Sequence, residues 1–218
     1  MLNQQYQVVS YCDVTSVPRK MCTITSSEVA VAIDNLFKPH VQFITVNTSQ
    51  LVTSRKFQLQ HRCICIAHHQ GDLYISSLDA IYKYSLSGKL IRTLYDDIYG
   101  GFTVNNCAVS PSGDKLYITC RYQLLTVAMD GTVLVTFTDP ELLTPEGLLV
   151  TSAGQVLVCG VNSHNIIQMD SDGGRKLSTL ATRMDGVENP LSVCYSSITS
   201  SIIVGNKYKG NILVFRVE

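Results

Sequence analysis

The sequence lacks several features that would place it in a common functional class. Its 218 residues include 17 basic and 17 acidic side chains, so the formal net charge is zero. Without an overall basic field, neither DNA nor a membrane surface is the expected partner. No apolar run approaches the ~20 residues that a membrane helix needs, and the first residues lack the basic start and apolar stretch of a secretion signal. We therefore expect a cytoplasmic protein.

The sequence also lacks the usual catalytic and metal-binding motifs. It contains no Gly-x-Ser-x-Gly nucleophile motif, no phosphate-binding loop and no Cys-x-x-Cys pair. His61, Cys63 and Cys65 alternate on one strand face, but a strand spreads three such residues over roughly 13 Å, too far for one ion. We expect Cys63 and Cys65 to be buried, His61 to lie in an exposed loop, and His68 and His69 to form a solvated hairpin turn.

The eight cysteines of the chain do not suggest a disulfide framework. Several lie within apolar strands, and Cys22, Cys65 and Cys107 align with Leu148 at one position of the repeat described below. A position that accepts either cysteine or leucine indicates packing rather than chemistry. The cysteines are therefore expected to be reduced and buried.

What the sequence does contain is a repeat of roughly 42 residues. Glycine turns before apolar strands fall at Gly71, Gly113 and Gly154, in steps of 42 and 41 residues. A second glycine series, at positions 88, 131 and 173, has steps of 43 and 42 residues. A period in the forties with several short strands per unit is typical of an all-β fold, the β-propeller of four-stranded antiparallel blades.

Five units can be counted in one domain over residues 1–218. They span about residues 19–59, 60–95, 103–139, 143–182 and 189–218, and the fifth shows only three strands. A lone strand-like stretch at residues 5–11 precedes them. Two architectures are open: a five-bladed propeller closed by residues 5–11, which removes an exposed sheet edge, or a six-bladed propeller whose first three strands lie outside this chain.

The fourth unit has the most specific sequence. It contains Pro-x-Gly-aliphatic at residues 145–148, a glycine turn and apolar strand at 154–159, an Asn/His pair within 162–165 and an Asp-Gly turn at 170–173. This pattern resembles an NHL repeat, and residues 189–193 repeat its opening. The whole chain is similar to the C-terminal propeller of tripartite-motif (TRIM-NHL) proteins, especially those of molluscs and other invertebrates. It departs from many NHL repeats by having Ser77, Cys120 or Arg121, and Gly160 where they have aspartate after the second strand.

The resemblance implies a binding role without catalysis. In such proteins the RING, B-box and coiled coil recruit the ubiquitin machinery, and the propeller selects the target, a protein in some members and RNA in others. None of the zinc-binding part is in this chain, so it should have no ligase activity of its own. A third alternative, a small-molecule hydrolase, would need clustered carboxylates. The candidates Glu28, Asp34, Asp79, Glu146 and Glu188 fall at different repeat positions, so we expect solvated turn carboxylates, with no catalytic residue, metal or cofactor.

The best candidate surface is the rim that collects two sets of loops. These are the connections into each first strand and the turns between second and third strands. Arginine and tyrosine are frequent at protein hot spots, and the same mixture suits single-stranded RNA. A protein partner is the first expectation and RNA the alternative. The predicted rim residues are Arg19, Lys20, Arg62, Arg121, Tyr122, His164, Lys207 and Tyr208.

Overall fold

The computed structural model describes residues 1–48, 50–96, 104–208 and 211–216. These residues contain nineteen β-strands and one short 3-10 helix. Contacts group the chain into two compact units, residues 1–104 and 105–218, which are described separately. The prediction of a single domain over the whole chain stays a prediction.

The first unit contains two four-stranded antiparallel sheets. The first sheet has the order β1(Pro18–Thr25), β2(Glu28–Ile33), β3(His40–Val46) and β4(Leu51–Gln58). The second has the order β5(Ile66–His69), β6(Asp72–Ser76), β7(Ala80–Ser85) and β8(Leu90–Asp96). Neighbouring strands in each sheet are also neighbours in the chain, which is the meander expected of a propeller blade.

The second unit contains three further antiparallel sheets. One comprises β9(Val104–Val109), which begins at the boundary residue, β10(Lys115–Cys120), β11(Gln123–Ala128) and β12(Val133–Phe137). The next comprises β13(Pro145–Val150), β14(Val156–Gly160), β15(Asn165–Met169) and β16(Lys176–Ala181). The last has three strands, β17(Pro190–Ser196), β18(Ser201–Asn206) and β19(Ile212–Arg216), and is preceded by the 3-10 helix Arg183–Asp185.

The two glycine series have a common physical cause. Gly71, Gly113 and Gly154 have φ values of 88°, 76° and 84° in the turns between first and second strands. The later series, at positions 88, 131 and 173, also has positive φ, between 71° and 99°. Side chains other than glycine adopt this left-handed conformation at a cost, so the turn geometry explains the repeat.

The second strands of the sheets supply much of the core. In β6, β10 and β14 nearly every residue is buried, whereas the fourth strands β4, β8, β12 and β16 are largely exposed. In the first unit, Phe43 and Leu73 pack in one cluster with Cys63, and in the second unit Tyr117 and Leu124 pack with Val158. This burial follows from near-continuous apolar runs in the second strands.

The N-terminal stretch at residues 5–11 is not one of the nineteen strands. Val8 forms an isolated antiparallel bridge with Leu2, and the backbone N–H of Leu51 donates to Ser10 Oγ at 3.2 Å. The segment therefore contacts the first sheet of its own unit.

The structure corrects one turn that was predicted from the sequence. His68 and His69 were expected in a hairpin turn, but both belong to β5, and the turn falls at Gln70 and Gly71. His68 Nδ1 lies 3.1 Å from the carbonyl oxygen of Thr23. A histidine pair is only a weak turn signal. The pairing of β5 with β6 determines where the turn falls.

Candidate binding surface

The strands of each sheet are labelled A to D in chain order, and every sheet has two edges. The BC edge contains the start of strand A and the turn between strands B and C, because alternate strands run in opposite directions. The AB edge contains the turn between strands A and B, and the CD turn of the four-stranded sheets. All the predicted rim residues lie on BC edges.

In the second unit, hydrogen bonds place the BC edges of adjacent sheets beside each other. Thr119 Oγ1, near the end of β10, donates to the carbonyl oxygen of Glu146 at 3.0 Å. The side-chain amide of Asn189, just before β17, donates to the carbonyl oxygen of Val161 at 3.3 Å. The BC turns at residues 121–122, 161–164 and 207–208 therefore lie along one side of this unit.

Two of these BC turns present an exposed tyrosine with a cation against its ring. Tyr122 is 55% exposed, and the Arg121 guanidinium carbon lies 5.1 Å from its ring centroid. Tyr208 is 87% exposed, and Lys207 Nζ lies 4.9 Å from its ring centroid. A cation at this distance is attracted by the electron-rich ring face, so each turn displays an aromatic surface and a positive charge together.

His164 is the centre of a chain of contacts on the same edge. The backbone N–H of Asn189 donates to His164 Nδ1 at 3.1 Å, and Arg183 Nη2 lies 3.1 Å from His164 Nε2. A neutral imidazole has one acceptor nitrogen, so only one of these contacts is a hydrogen bond at a time. The backbone N–H of Lys207 donates to the carbonyl oxygen of Asn189 at 2.8 Å, which joins Lys207 to the same group.

The sequence analysis missed Arg183 and its neighbour Met184. They belong to the 3-10 helix between β16 and β17, whose first turn is fixed by Thr182 and Asp185 in a capping box. Met184 is 97% exposed, and Arg183 lies 3.9 Å from Glu188. The Thr-x-x-Asp spacing at residues 182–185 was the signal that could have identified this capped loop.

In the first unit, two of the predicted rim cations share one carboxylate. Arg19 Nε and Nη2 donate to Asp34 Oδ2 at 3.2 and 3.0 Å. Arg62 Nε donates to Asp34 Oδ1 at 3.1 Å, and its Nη2 donates to Oδ2 at 2.5 Å. We call these three residues the Arg–Asp–Arg clamp. It joins β1, the BC turn of the first sheet and the segment before β5.

The clamp overturns the expectation that Asp34 is a solvated turn carboxylate. Its side chain is only 2% exposed, whereas the side chains of Arg19 and Arg62 are 46% and 38% exposed. Hydrogen bonding to Arg62 and then to Arg19 holds the pKa of Asp34 below its usual range despite burial. The aspartate is thus an ionised anchor between two cations.

The remaining carboxylate candidates have separate surroundings. Glu28 pairs with Arg55, at 3.1 Å between Oε2 and Nη2, and Asp79 accepts a hydrogen bond from Ser77 Oγ at 2.8 Å. Lys20, the other predicted rim cation of the first unit, follows Arg19 in β1 and is half-buried. Among the described residues, no group of three or more His, Cys, Asp or Glu side chains could hold a metal ion.

His61 is not the exposed loop residue that the sequence suggested. Its ring stacks on Tyr82 with centroids 4.1 Å apart, and its Nε2 lies 2.8 Å from Tyr84 Oη. Burial lowers the pKa of His61, while its contact with the Arg62 carbonyl oxygen opposes that shift. All eight cysteines are free thiols, and five of them, including Cys63 and Cys65, are buried as predicted. The prediction of burial is wrong for Cys194, which is exposed, and Cys12 and Cys22 are half-buried.

The AB edge of the second unit contains a cavity of about 290 Å³. Ser110, Asp114, Tyr117 and Ser171 are among its lining residues. Their polar atoms already pair: Ser110 Oγ donates to Asp114 Oδ1 at 2.7 Å, and Tyr117 Oη donates to the Ser171 carbonyl oxygen at 2.6 Å. Among these residues, the Tyr117 contact joins two neighbouring sheets and the Ser110 contact closes the β9–β10 turn.

Comparison with known proteins supports the fold class. The chain is similar to a chain in the crystal structure of a nidogen/laminin complex, with a TM-score of 0.67 and 18% identity over 93% of this chain and 81% of that one. It is also similar to a chain in the crystal structure of a mitotic checkpoint complex, with a TM-score of 0.65 and 15% identity over 88% of this chain. It spans only 60% of that second chain. The predicted fold class, an all-β propeller of four-stranded antiparallel blades, is confirmed.

No family model and no curated protein sequence matches the chain. The described residues contain no helix long and apolar enough to cross a membrane. The likeness to solved structures therefore rests on fold alone, and the predicted NHL and tripartite-motif relationship remains a prediction.

Proposed function

We propose that this chain is a non-catalytic protein-binding module, and that it selects a protein substrate for a tripartite-motif ubiquitin ligase in the cytoplasm. The observation that carries the binding role is the BC edge of the second unit. Two exposed tyrosines there, Tyr122 and Tyr208, each have a cation beside the ring, and Met184 projects from a capped loop. Aromatic side chains and arginine on a fixed backbone are the usual anchors of protein interfaces.

Three observations support the finer proposal. The NHL-like sequence of the fourth repeat, residues 143–182, folds as a four-stranded antiparallel sheet, β13 to β16. Asp34 directly follows the second strand of the first sheet, the position at which many NHL repeats have aspartate. Two of the similar solved structures are of complexes, a nidogen/laminin complex and a mitotic checkpoint complex, so similar folds occur in protein assemblies.

The test is capture of partner proteins by the purified chain and by a Tyr122→Ala/Tyr208→Ala double variant. Both side chains are exposed, so the variant should fold normally. It should lose a partner that the unaltered chain retains, because two aromatic anchors are removed. Tyr195→Ala is the matched control: Tyr195 is 50% exposed and lies near the AB edge. Identical sets of captured proteins for all three chains would contradict the proposal.

Arg62 is a poor choice for such a test, although it is a predicted rim residue. Its guanidinium holds the buried carboxylate of Asp34, so Arg62→Glu would place two carboxylates together and disturb the first unit. Loss of binding in that variant would not separate recognition from folding.

Single-stranded RNA is the second candidate ligand, favoured by Arg121, Arg183 and Lys207 on an edge that also has exposed tyrosines. Bases stack on aromatic rings, and cations contact phosphates. The zero net charge argues against it, because RNA-binding domains usually have a basic face. A random single-stranded RNA pool discriminates: sub-micromolar binding that weakens steeply with added salt supports RNA. Absence of binding up to tens of micromolar, on the order of a non-specific Kd, would leave a protein partner as the expected ligand.

A further inference from the structure

The first unit has a second exposed feature beside the Arg–Asp–Arg clamp. The BC turn of its first sheet, residues 34–39, projects Leu36 and Phe37 into solvent, with exposures of 79% and 89%. Two adjacent large apolar side chains with this exposure are unfavourable for an isolated surface. They directly follow Asp34, so the apolar pair and the clamp belong to one turn.

The backbone of this turn is fixed without help from the apolar side chains. Asn35 Oδ1 accepts hydrogen bonds from the backbone N–H groups of Phe37 and Lys38, at 2.9 and 3.0 Å. The amide Nδ2 of Asn35 donates to Ser16 Oγ at 3.3 Å. Leu36 and Phe37 are therefore held outward before any partner arrives, which reduces the entropy lost on binding.

The clamp retains positive charge and unused donors. Two guanidinium groups face a single carboxylate, so one positive charge is left uncompensated within the clamp. Both arginines bind Asp34 through Nε and Nη2, and within the part of the chain that the structure describes neither Nη1 group has a hydrogen-bond acceptor. Guanidinium donors fixed in this way suit a carboxylate ligand. Lys38, exposed on the same turn, adds a further positive charge.

We propose that Leu36, Phe37 and the outward faces of Arg19 and Arg62 form a docking site for an acidic peptide segment of a partner protein, one that alternates carboxylates with apolar side chains. The apolar residues of the segment cover Leu36 and Phe37, and its carboxylates bind the Nη1 groups. A peptide fits better than RNA, because Leu36 is aliphatic and only Phe37 offers a ring on which a base could stack. The proposal rests on the protein-binding role proposed above and adds a partner chemistry in the other unit.

The probe is a fluorescein-labelled synthetic peptide of about 12 residues, the length of a short docking motif, that alternates Asp with Leu and Phe. A second peptide has Asn in place of every Asp. Fluorescence anisotropy with the full chain should show the acidic peptide binding at least about tenfold more tightly, a difference of roughly 1.4 kcal/mol. This difference should shrink as salt rises from about 50 to about 300 mM, because exposed charges are screened.

Two variants test the site itself. Leu36→Ser/Phe37→Ser should weaken binding of the acidic peptide by about tenfold or more, since it removes the apolar contacts. Arg19→Gln, which leaves the contact of Arg62 with Asp34, should reduce the preference for Asp over Asn. Ile198→Ser is the matched control, because Ile198 is 77% exposed in an AB turn of the second unit. Should Arg19→Gln fail to fold, the Leu36/Phe37 variant still decides.

Equal affinity for the two peptides, unchanged affinity in the Leu36/Phe37 variant, or no binding up to about 1 mM, the weak limit of specific contacts, would overturn the docking site. The Tyr122/Tyr208 capture experiment separates this failure from failure of the proposed function. A partner that is lost on changing the tyrosines while the peptide does not bind leaves the binding role intact and removes only the acidic docking site.

Discussion

At the residue scale, the Arg–Asp–Arg clamp is the strongest electrostatic feature of the first unit. We expect Asp34→Asn to lower the free energy of unfolding by about 2 kcal/mol, because the two half-exposed guanidinium groups lose their hydrogen bonds to the ionised carboxylate that they share. The control is Glu28→Gln, which breaks a more exposed pair with Arg55 and should cost about 1 kcal/mol or less. Denaturant unfolding of both variants measures the difference, and equal effects would contradict this account of the clamp.

The same carboxylate gives a pH dependence with a definite sign. The folded-state pKa of Asp34 is lowered, first by Arg62 and then by Arg19. Its contribution to stability is therefore complete above the unfolded-state pKa of about 3.9 and is lost as pH falls from there through the folded-state pKa. Unfolding midpoints measured from neutral pH to about pH 3 should fall more steeply for the unaltered chain than for Asp34→Asn. Parallel curves would mean that other groups cause the acid sensitivity.

We expect the hydroxyl group of Tyr84 to contribute to the free energy of unfolding through its hydrogen bond with His61. His61 Nδ1 contacts the carbonyl oxygen of Arg62 at 2.6 Å and donates to it, so Nε2 is the acceptor for Tyr84 Oη. Tyr84→Phe leaves this half-buried nitrogen without its donor and should cost about 1–2 kcal/mol of unfolding free energy. Tyr195→Phe, on a half-exposed ring, is the control and should change little.

The lowered pKa of His61 adds a second pH window. Because the folded protein disfavours the charged ring, its contribution to stability is present above the unfolded-state pKa of about 6.5 and is lost as pH falls below it. His61→Gln should reduce the stability difference between about pH 7.5 and about pH 5.5 if this residue causes it. An unchanged difference would assign the sensitivity to another group.

At the element scale, the BC turn of the fourth sheet depends on a glycine at the end of β14. A Cβ on Gly160 would lie 2.1 Å from Ser163 Oγ and 2.5 Å from Asn165 Oδ1. Gly160→Ala should therefore force the turn apart and destabilise the protein by about 2 kcal/mol. Gly174→Ala is the milder control, since a Cβ there would lie 3.3 Å from its nearest neighbour, Val135 Cγ1. Thermal melts of the two variants compare them directly.

The strands could be predicted from the sequence because their signals are local. Gly71 and Gly113 occupy left-handed turns whatever surrounds them, and short near-continuous apolar runs identify the strands that follow. Boundaries were less accurate: His68 and His69 were expected in a turn, and both belong to β5, Ile66–His69. The backbone N–H of Ile64 donates to the carbonyl oxygen of Ser76, and the N–H of Ser76 donates to that of Cys65, so the pairing continues before β5 begins.

The site was only partly predictable, because its decisive contacts join residues far apart in the sequence. Asp34 and Arg62 are 28 residues apart, and Tyr84 lies 23 residues after His61. A single sequence does not show which turn carboxylate meets which cation, so Asp34 was interpreted as solvated. The cations at positions 19 and 62 were predicted among the rim residues and lie on BC edges, but the carboxylate that they share was missed.

At the scale of the whole molecule, each unit has its own buried clusters. In the first unit one cluster includes Phe43 and Leu73, and another includes Val31 and Ile33. In the second unit, Tyr117 and Val204 belong to two separate clusters. The predicted binding residues are divided between the units, three in the first and five in the second, so the two proposed surfaces can be altered one at a time.

The contrast between buried second strands and exposed fourth strands also predicts different rates of amide hydrogen exchange. Amide protons in β6, β10 and β14 lie between two neighbouring strands and beneath packed side chains, whereas β4, β8, β12 and β16 are largely solvated. Opening a fourth strand breaks one ladder, but opening a second strand requires most of its sheet to unfold. Deuterium should therefore enter the fourth strands first. Mass spectrometry of peptides after increasing labelling times would measure the deuterium uptake of each strand, and uniform uptake would contradict that order.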